Sequence, residues 1–140
     1  MKKLVFLGVM FFILGCGVNQ LPAEKGSINW YKDLPEAKTQ AQAQNKPVLI
    51  DFYTDWCGWC KRLDKDTYAH KDVADFAKEF ICVKIDADKY PQFTKEYGVR
   101  GLPTTVFLRP DGMLIEAVPG YMPPDKFLTL MKRMLTASAQ

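Results

Sequence analysis

The stretch Pro47-Val48-Leu49-Ile50-Asp51-Phe52-Tyr53 narrows the available folds more than any other part of the chain. Its apolar residues run on without the alternation of a half-solvated strand, so the segment reads as a strand covered on both faces. Such a strand needs helices on each side of its sheet. Pro35–Asn45 is rich in helix formers, with Pro35 suited to a first turn. A second helical segment runs from the cysteine pair at Cys57 and Cys60 to about Ala69, with Cys60, Leu63 and Thr67 on one side. Val73, Phe76, Ala77 and Phe80 repeat at the spacing of one buried helical stripe. Phe80–Ile85 reads as a strand, and Tyr90, Phe93 and Tyr97 line a short helix that Gly98 can end. Thr104–Leu108 and Met113–Val118 form a hairpin around Asp111-Gly112. A last helix, Pro124 to about Leu135, buries Phe127, Met131, Met134 and Leu135, and Ile28–Tyr31 is a candidate first strand. This order predicts an α/β fold: a central mixed sheet of four to five strands with helices on both faces.

The N-terminus reads differently. Met1-Lys2-Lys3 is a short positive start, and Leu4–Leu14 is an unbroken apolar run of 11 residues, the pattern of an export signal. A bilayer span needs roughly 20. Ile13-Leu14-Gly15-Cys16 resembles the lipobox of bacterial lipoproteins, in which the cysteine receives a lipid and becomes the new N-terminus; ordinary signal cleavage nearby is the alternative. Residues 1–15 are thus expected to be a signal peptide of the lipoprotein type. Residues 16–27 follow as the lipidated N-terminus and a polar, Pro/Gly-marked tether, and residues 28–137 as the folded domain. Export puts the thiols outside the reducing cytosol. With Cys16 lipidated, Cys57, Cys60 and Cys82 remain, and an odd count cannot form a purely structural disulfide framework. Composition excludes other classes: 48% hydrophobic and 25% charged residues suit a globular domain rather than disorder or a multi-span membrane protein. Without Lys2 and Lys3, 17 basic residues face 16 acidic ones, which is no electrostatic footprint for nucleic acid.

Asp55-Trp56-Cys57-Gly58-Trp59-Cys60 leaves three chemistries open: half of a metal site, a structural disulfide, or a dithiol that exchanges electrons. Zinc normally takes four ligands, and beyond the pair only Cys82 and His70 are of the preferred types, at no recognisable spacing. No metal is expected. A lipid-anchored binding module with a structural CxxC disulfide is a further alternative, although so small a loop closes little chain entropy.

The pair at the start of a helix after an apolar strand, with a Gly-x-x-Pro turn before a final hairpin and helix, resembles the thioredoxin family. The match runs from about Asn29 to Leu135 and rests on four places: Asp51, six residues before Cys57; Trp56-Cys57-Gly58-x-Cys60-Lys61; Lys84; and Val99-Arg100-Gly101-Leu102-Pro103-Thr104. Asn45–Tyr53 is especially similar to exported thioredoxin-like proteins related to the C-terminal domain of DsbD. Trp59 stands where thioredoxin has proline and oxidising members have histidine, which bears on the redox direction.

The resemblance implies a thioredoxin fold and a set of roles. A helix N-terminus stabilises a thiolate, which makes Cys57 the nucleophile and Cys60 the resolving thiol. Asp51, a carboxylate within a core strand, becomes a proton acceptor for Cys60; by itself it could equally be an exposed strand-end group. Lys84 is implied to sit beside Asp51 and tune it, against the alternative of a snorkelling surface lysine. Pro103 is implied to be cis, freeing the Leu102 backbone to hold an extended substrate. Trp56 and Gly58 belong to the same substrate-facing pattern, with Trp56 expected to pack beside the site. Trp59 is either an exposed docking surface or folded back on its own domain. Cys82 is expected to be a small buried hydrophobe, and His70 to lie in a solvated turn.

The implied protein is an extracytoplasmic, membrane-anchored reductase or isomerase of exported disulfide-containing proteins, with a thiol oxidase of the same fold as the alternative. It would need no cofactor beyond its own disulfide and would be recharged by a membrane electron donor of the DsbD or CcdA kind, in a setting such as cytochrome c maturation. A monomer is expected.

Overall fold

The computed structural model describes residues 25–140; the expected signal segment, Cys16 and most of the tether lie outside the described residues. The elements are α1 (Leu34–Gln44), β1 (Val48–Tyr53), α2 (Gly58–Arg62), α3 (Lys71–Phe76), β2 (Ile81–Asp86), α4 (Pro91–Glu96), β3 (Thr104–Leu108), β4 (Leu114–Pro119) and α5 (Pro124–Ser138). The sheet has four strands in the order β2-β1-β3-β4. β1 pairs with β2 in parallel and with β3 antiparallel, and β3 pairs with β4 antiparallel. The unbroken apolar run is therefore a central strand, buried along nearly its whole length.

Alternation along β1 splits the core in two. Val48, Ile50 and Phe52 pack with Leu34, Ala37 and Ala41 of α1 and with Tyr97 after α4. Leu49 faces the opposite way, into Leu63 and Tyr68, Val73 of α3, and Phe127, Met131 and Met134 of α5. Asp51 shares the Leu49 side of the strand, and thus looks toward the helix that carries the cysteines.

Local chemistry explains most boundaries. Asp33 caps α1 by accepting the Glu36 N–H at 2.7 Å, Pro35 occupies the first turn, and Asn45 closes the helix with φ of 51°. Gly98, at φ of 66°, ends α4.

Several expectations need correction. Ile28–Tyr31 is not a strand: Tyr31 alone bridges Val83, exchanging hydrogen bonds with Cys82 O and the Lys84 N–H along the free edge of β2. The last tether residues are not free either, because the Gly26 N–H donates to Ala69 O at 2.9 Å and a side chain at Gly26 would collide with Ala74. The second helical stripe breaks after Phe76, where Ala77–Glu79 tighten into a 3-10 turn before Phe80 turns extended. Tyr90 caps α4 from outside, stacked on Phe93, and Leu135 is half-buried, its place in the α5 core taken by Leu130.

The helix after the cysteines has its own departure. Beyond Arg62 it widens into a π-helix, Leu63–Tyr68, with the Ala69 N–H reaching Asp64 O at 3.1 Å. Leu63 and Tyr68, five residues apart, consequently share the sheet-facing side. Phe127 stacks edge-on against Tyr68, centroids 5.4 Å apart. Phe127→Ala is expected to cost about 3–5 kcal/mol of stability, read from the midpoint of a urea titration, because it opens a cavity that the rigid sheet cannot close.

Candidate active site

Cys57 and Cys60 form a disulfide with Cα atoms 5.3 Å apart. Cys57 is the N-cap of α2, its backbone extended, and its sulfur accepts the Cys60 N–H at 3.1 Å. Sulfur at this position stands where a helix leaves its first N–H groups unpaired, so a thiolate there meets donors and the positive end of the dipole. Trp56, Cys57, Gly58, Trp59 and Leu102 line an open groove of about 380 Å³. Cys57 borders this groove, Cys60 is not among the residues lining it, and both are buried. Gly101, beside Leu102, also borders this groove, and the peptide from Leu102 to Pro103 is cis.

Trp59 divides this groove from a second, of about 360 Å³, bordered by Leu102, Pro103, Gly120 and Tyr121. The Trp59 ring is 55% exposed yet held in place, its centroid 5.7 Å from that of Tyr121 and 5.3 Å from the Arg62 guanidinium. It thus combines both alternatives, an outward face on an anchored ring. Trp56 departs from its expected packing role: it is 71% exposed and fixed at its edge, where the indole N–H donates to the Asp88 carboxylate at 2.8 Å.

Beneath the groove lies a polar cluster. Asp51 is 1% exposed; its carboxylate accepts from the Tyr68 hydroxyl at 3.1 Å and from the Lys84 ammonium at 2.8 Å. Parallel pairing makes this contact, since Asp51 of β1 stands opposite Lys84 of β2. Lys84 does not snorkel outward; its ammonium also donates to Asp64 at 2.6 Å and lies among the rings of Trp30, Tyr53 and Tyr68. Burial pushes the Asp51 carboxyl above its ordinary value; the Lys84 ammonium offsets this only in part, and the nearby Asp64 carboxylate adds to the rise. Burial alone would lower the Lys84 ammonium, but the carboxylates of Asp51 and Asp64 raise it above its usual range.

Cys82 is buried, and desolvation pushes its thiol up to about 12, which keeps it protonated and inert. His70 is exposed at the start of α3. Among the described residues no group of His, Cys, Asp or Glu side chains could hold a metal ion.

A family model described as a thioredoxin-like domain matches residues 34–135. The chain belongs to the thioredoxin-like family. A thioredoxin of Mycoplasmoides gallisepticum is 34% identical over 93 residues, covering 66% of this chain and 89% of its own. The thiol:disulfide interchange protein DsbD of Vibrio cholerae is 37% identical over 105 residues, 69% of this chain but 17% of that protein. The reduced C-terminal domain of Neisseria meningitidis DsbD has 30% identity and a TM-score of 0.64, over 71% of this chain and 92% of that one. This thioredoxin-like domain is a thiol–disulfide oxidoreductase whose redox group is the Cys57–Cys60 disulfide.

Tyr68, Asp64, Arg62 and Tyr121 escaped the sequence reading. Asp64 carried a usable signal, because four residues after Cys60 it occupies the next helical turn. Tyr68 carried none, since only the π-helical widening turns it under the sheet.

The raised Asp51 value sets a sign for stability. The folded state binds this proton more tightly than the unfolded chain, so stability falls as pH rises from the ordinary carboxylate range through the folded Asp51 value. Asp51→Asn is expected to remove that slope, measured as urea midpoints across a pH series; an unchanged slope would assign the titration to another group.

Proposed function

We propose that the protein is an extracytoplasmic thiol–disulfide oxidoreductase that reduces or isomerises disulfides of exported proteins. The observation that carries the reading is the asymmetry of the pair: Cys57 is the N-cap of a helix and borders an open groove, whereas Cys60 lies within that helix and is not among the residues lining the groove. In the reduced enzyme the Cys57 thiolate attacks one sulfur of a substrate disulfide, forming a mixed disulfide and expelling one substrate thiolate. Asp51, positioned and tuned by Lys84, accepts the Cys60 thiol proton. The Cys60 thiolate then attacks the Cys57 sulfur, re-forms the Cys57–Cys60 disulfide and expels the second substrate thiolate. Two electrons pass to the substrate.

Trp56, Gly58 and Trp59 on one wall, with Leu102 and cis Pro103 on the other, hold the extended substrate segment. Two supports favour the reducing direction. DsbD relatives match this domain, at 37% identity for the Vibrio cholerae protein and 30% for the Neisseria meningitidis C-terminal domain, and the one histidine of the chain is the N-cap of α3 rather than a residue between the two cysteines. In this reading residues 1–15 direct export, Cys16 carries the lipid, residues 16–27 tether a monomeric domain of residues 28–137 to the membrane, and a carrier of the DsbD or CcdA kind restores the dithiol. Cytochrome c maturation is one process with this need.

The redox potential of the pair against glutathione decides the direction. It is expected nearer the value of about −270 mV found for thioredoxin than the value of about −120 mV found for DsbA, and a result close to DsbA would make the protein an oxidase. Cys57→Ser is expected to abolish insulin reduction, whereas Cys60→Ser accumulates mixed disulfides visible on non-reducing gels; full activity in Cys57→Ser would reverse the roles. Labelled palmitate should enter the full-length chain and be lost in Cys16→Ala.

A further inference from the structure

The arm ahead of α1 contributes to the redox site, although nothing in its sequence suggests it. Ile28 and Trp30 alternate inward onto the core that contains Tyr68, while Ser27 and Asn29 face out. Two anchors hold the arm. Gly26 donates to Ala69 at the end of the π-helix, and Tyr31 is bonded on both sides of Val83: its N–H donates to Cys82 O at 2.8 Å, and its carbonyl accepts the Lys84 N–H at 3.0 Å. Between these anchors Trp30 is delivered onto the two side chains that hydrogen-bond Asp51. Its ring stands edge-on to Tyr68 with centroids 5.0 Å apart, and the Lys84 ammonium lies 5.2 Å from its centroid.

We propose that the Gly26–Tyr31 arm is a working part of the redox site, with Trp30 the positioning residue that closes the outer side of the Asp51–Lys84–Tyr68 cluster and so holds Asp51 ready to take the Cys60 proton. The inference rests on the reading of Asp51 as that acceptor. A buried carboxylate keeps its proton affinity only while water stays out, and an ammonium stays in an apolar setting only when rings and carboxylates replace its hydration. Trp30 serves both needs. The charged and titratable groups around Asp51 are Lys84 from β2, Asp64 and Tyr68 from the helix, Tyr53 from its own strand, and the Cys60 thiol of the reduced enzyme, with neutral Thr105 of β3 against Tyr68. Trp30 is the arm's contribution to this group, its ring centroid 5.2 Å from the Lys84 ammonium.

The test compares wild type, Trp30→Ala and Trp30→Phe in the full chain, with two readouts. Carbon NMR follows the Asp51 carboxyl titration, and single-turnover kinetics follow the pH dependence of mixed-disulfide resolution. Trp30→Ala is expected to move the Asp51 midpoint down toward the ordinary carboxylate range. The acid limb of the resolving step should move with it, its plateau should fall several-fold, and Trp30→Phe should restore both. If Trp30→Ala does not fold, Trp30→Leu keeps apolar bulk without a ring over Lys84 and should shift both readouts the same way. A folded Ala or Leu variant with wild-type titration and pH profile would overturn the proposal. Asp51→Asn separates the two layers: if it leaves the resolving step unchanged, Asp51 is not the acceptor, while the Asp51 titration in the Trp30 variants, which keep the carboxyl, still reports whether Trp30 controls the cluster.

Discussion

The contact between the Asp51 carboxylate and the Lys84 ammonium, 2.8 Å across the parallel pair β1–β2, is the constraint around which the site is organised. A carboxylate in a central strand must find a partner or stay protonated. The partner stands directly opposite on the neighbouring strand, and its ammonium is shared with Asp64 on the helix that carries Cys60. Three elements are thereby tied beneath the disulfide. Buried ion pairs add little net stability over apolar packing, because desolvation consumes most of the Coulomb gain. The cluster is better understood through the proposed mechanism, in which Asp51 is the buried group that takes the Cys60 proton.

Above this cluster, the surface is built from aromatic groups held at their edges. Trp56 and Trp59 both expose their faces, but one is pinned by a hydrogen bond to Asp88 and the other by the Tyr121 ring and the Arg62 guanidinium. Side chains already ordered before a substrate arrives lose little freedom on contact. Exchange chemistry with extended segments suits such a surface, since Trp59 separates two grooves that meet at Leu102.

Much of this was legible in the chain. The continuous run at Val48–Tyr53 announced a central strand, the Asp111-Gly112 turn a hairpin, and the cysteine pair with its glycine a helix start. Each of these signals is local: propensity, spacing or turn chemistry acting within a few residues. The misreadings share the opposite character. Ile28–Tyr31 has strand composition, yet only Tyr31 bridges β2, because the arm crosses toward α3 and anchors at Ala69 instead of running along the edge. Trp56 looked like a packing residue because of its size, and it is exposed because Asp88, distant in sequence, satisfies its indole N–H at the surface.

The sequence by itself determined the element order, the two-sided burial of β1, and the presence of a dithiol with a nearby carboxylate, because periodicity and residue chemistry are properties of short windows. Only the tertiary structure decided which cysteine borders the groove, that Lys84 is divided between two carboxylates, and that the Tyr68 and Trp30 rings lie against its ammonium. Those facts depend on strand register, on one π-helical widening and on an arm laid across a sheet edge, and each is settled by packing between segments far apart in the chain.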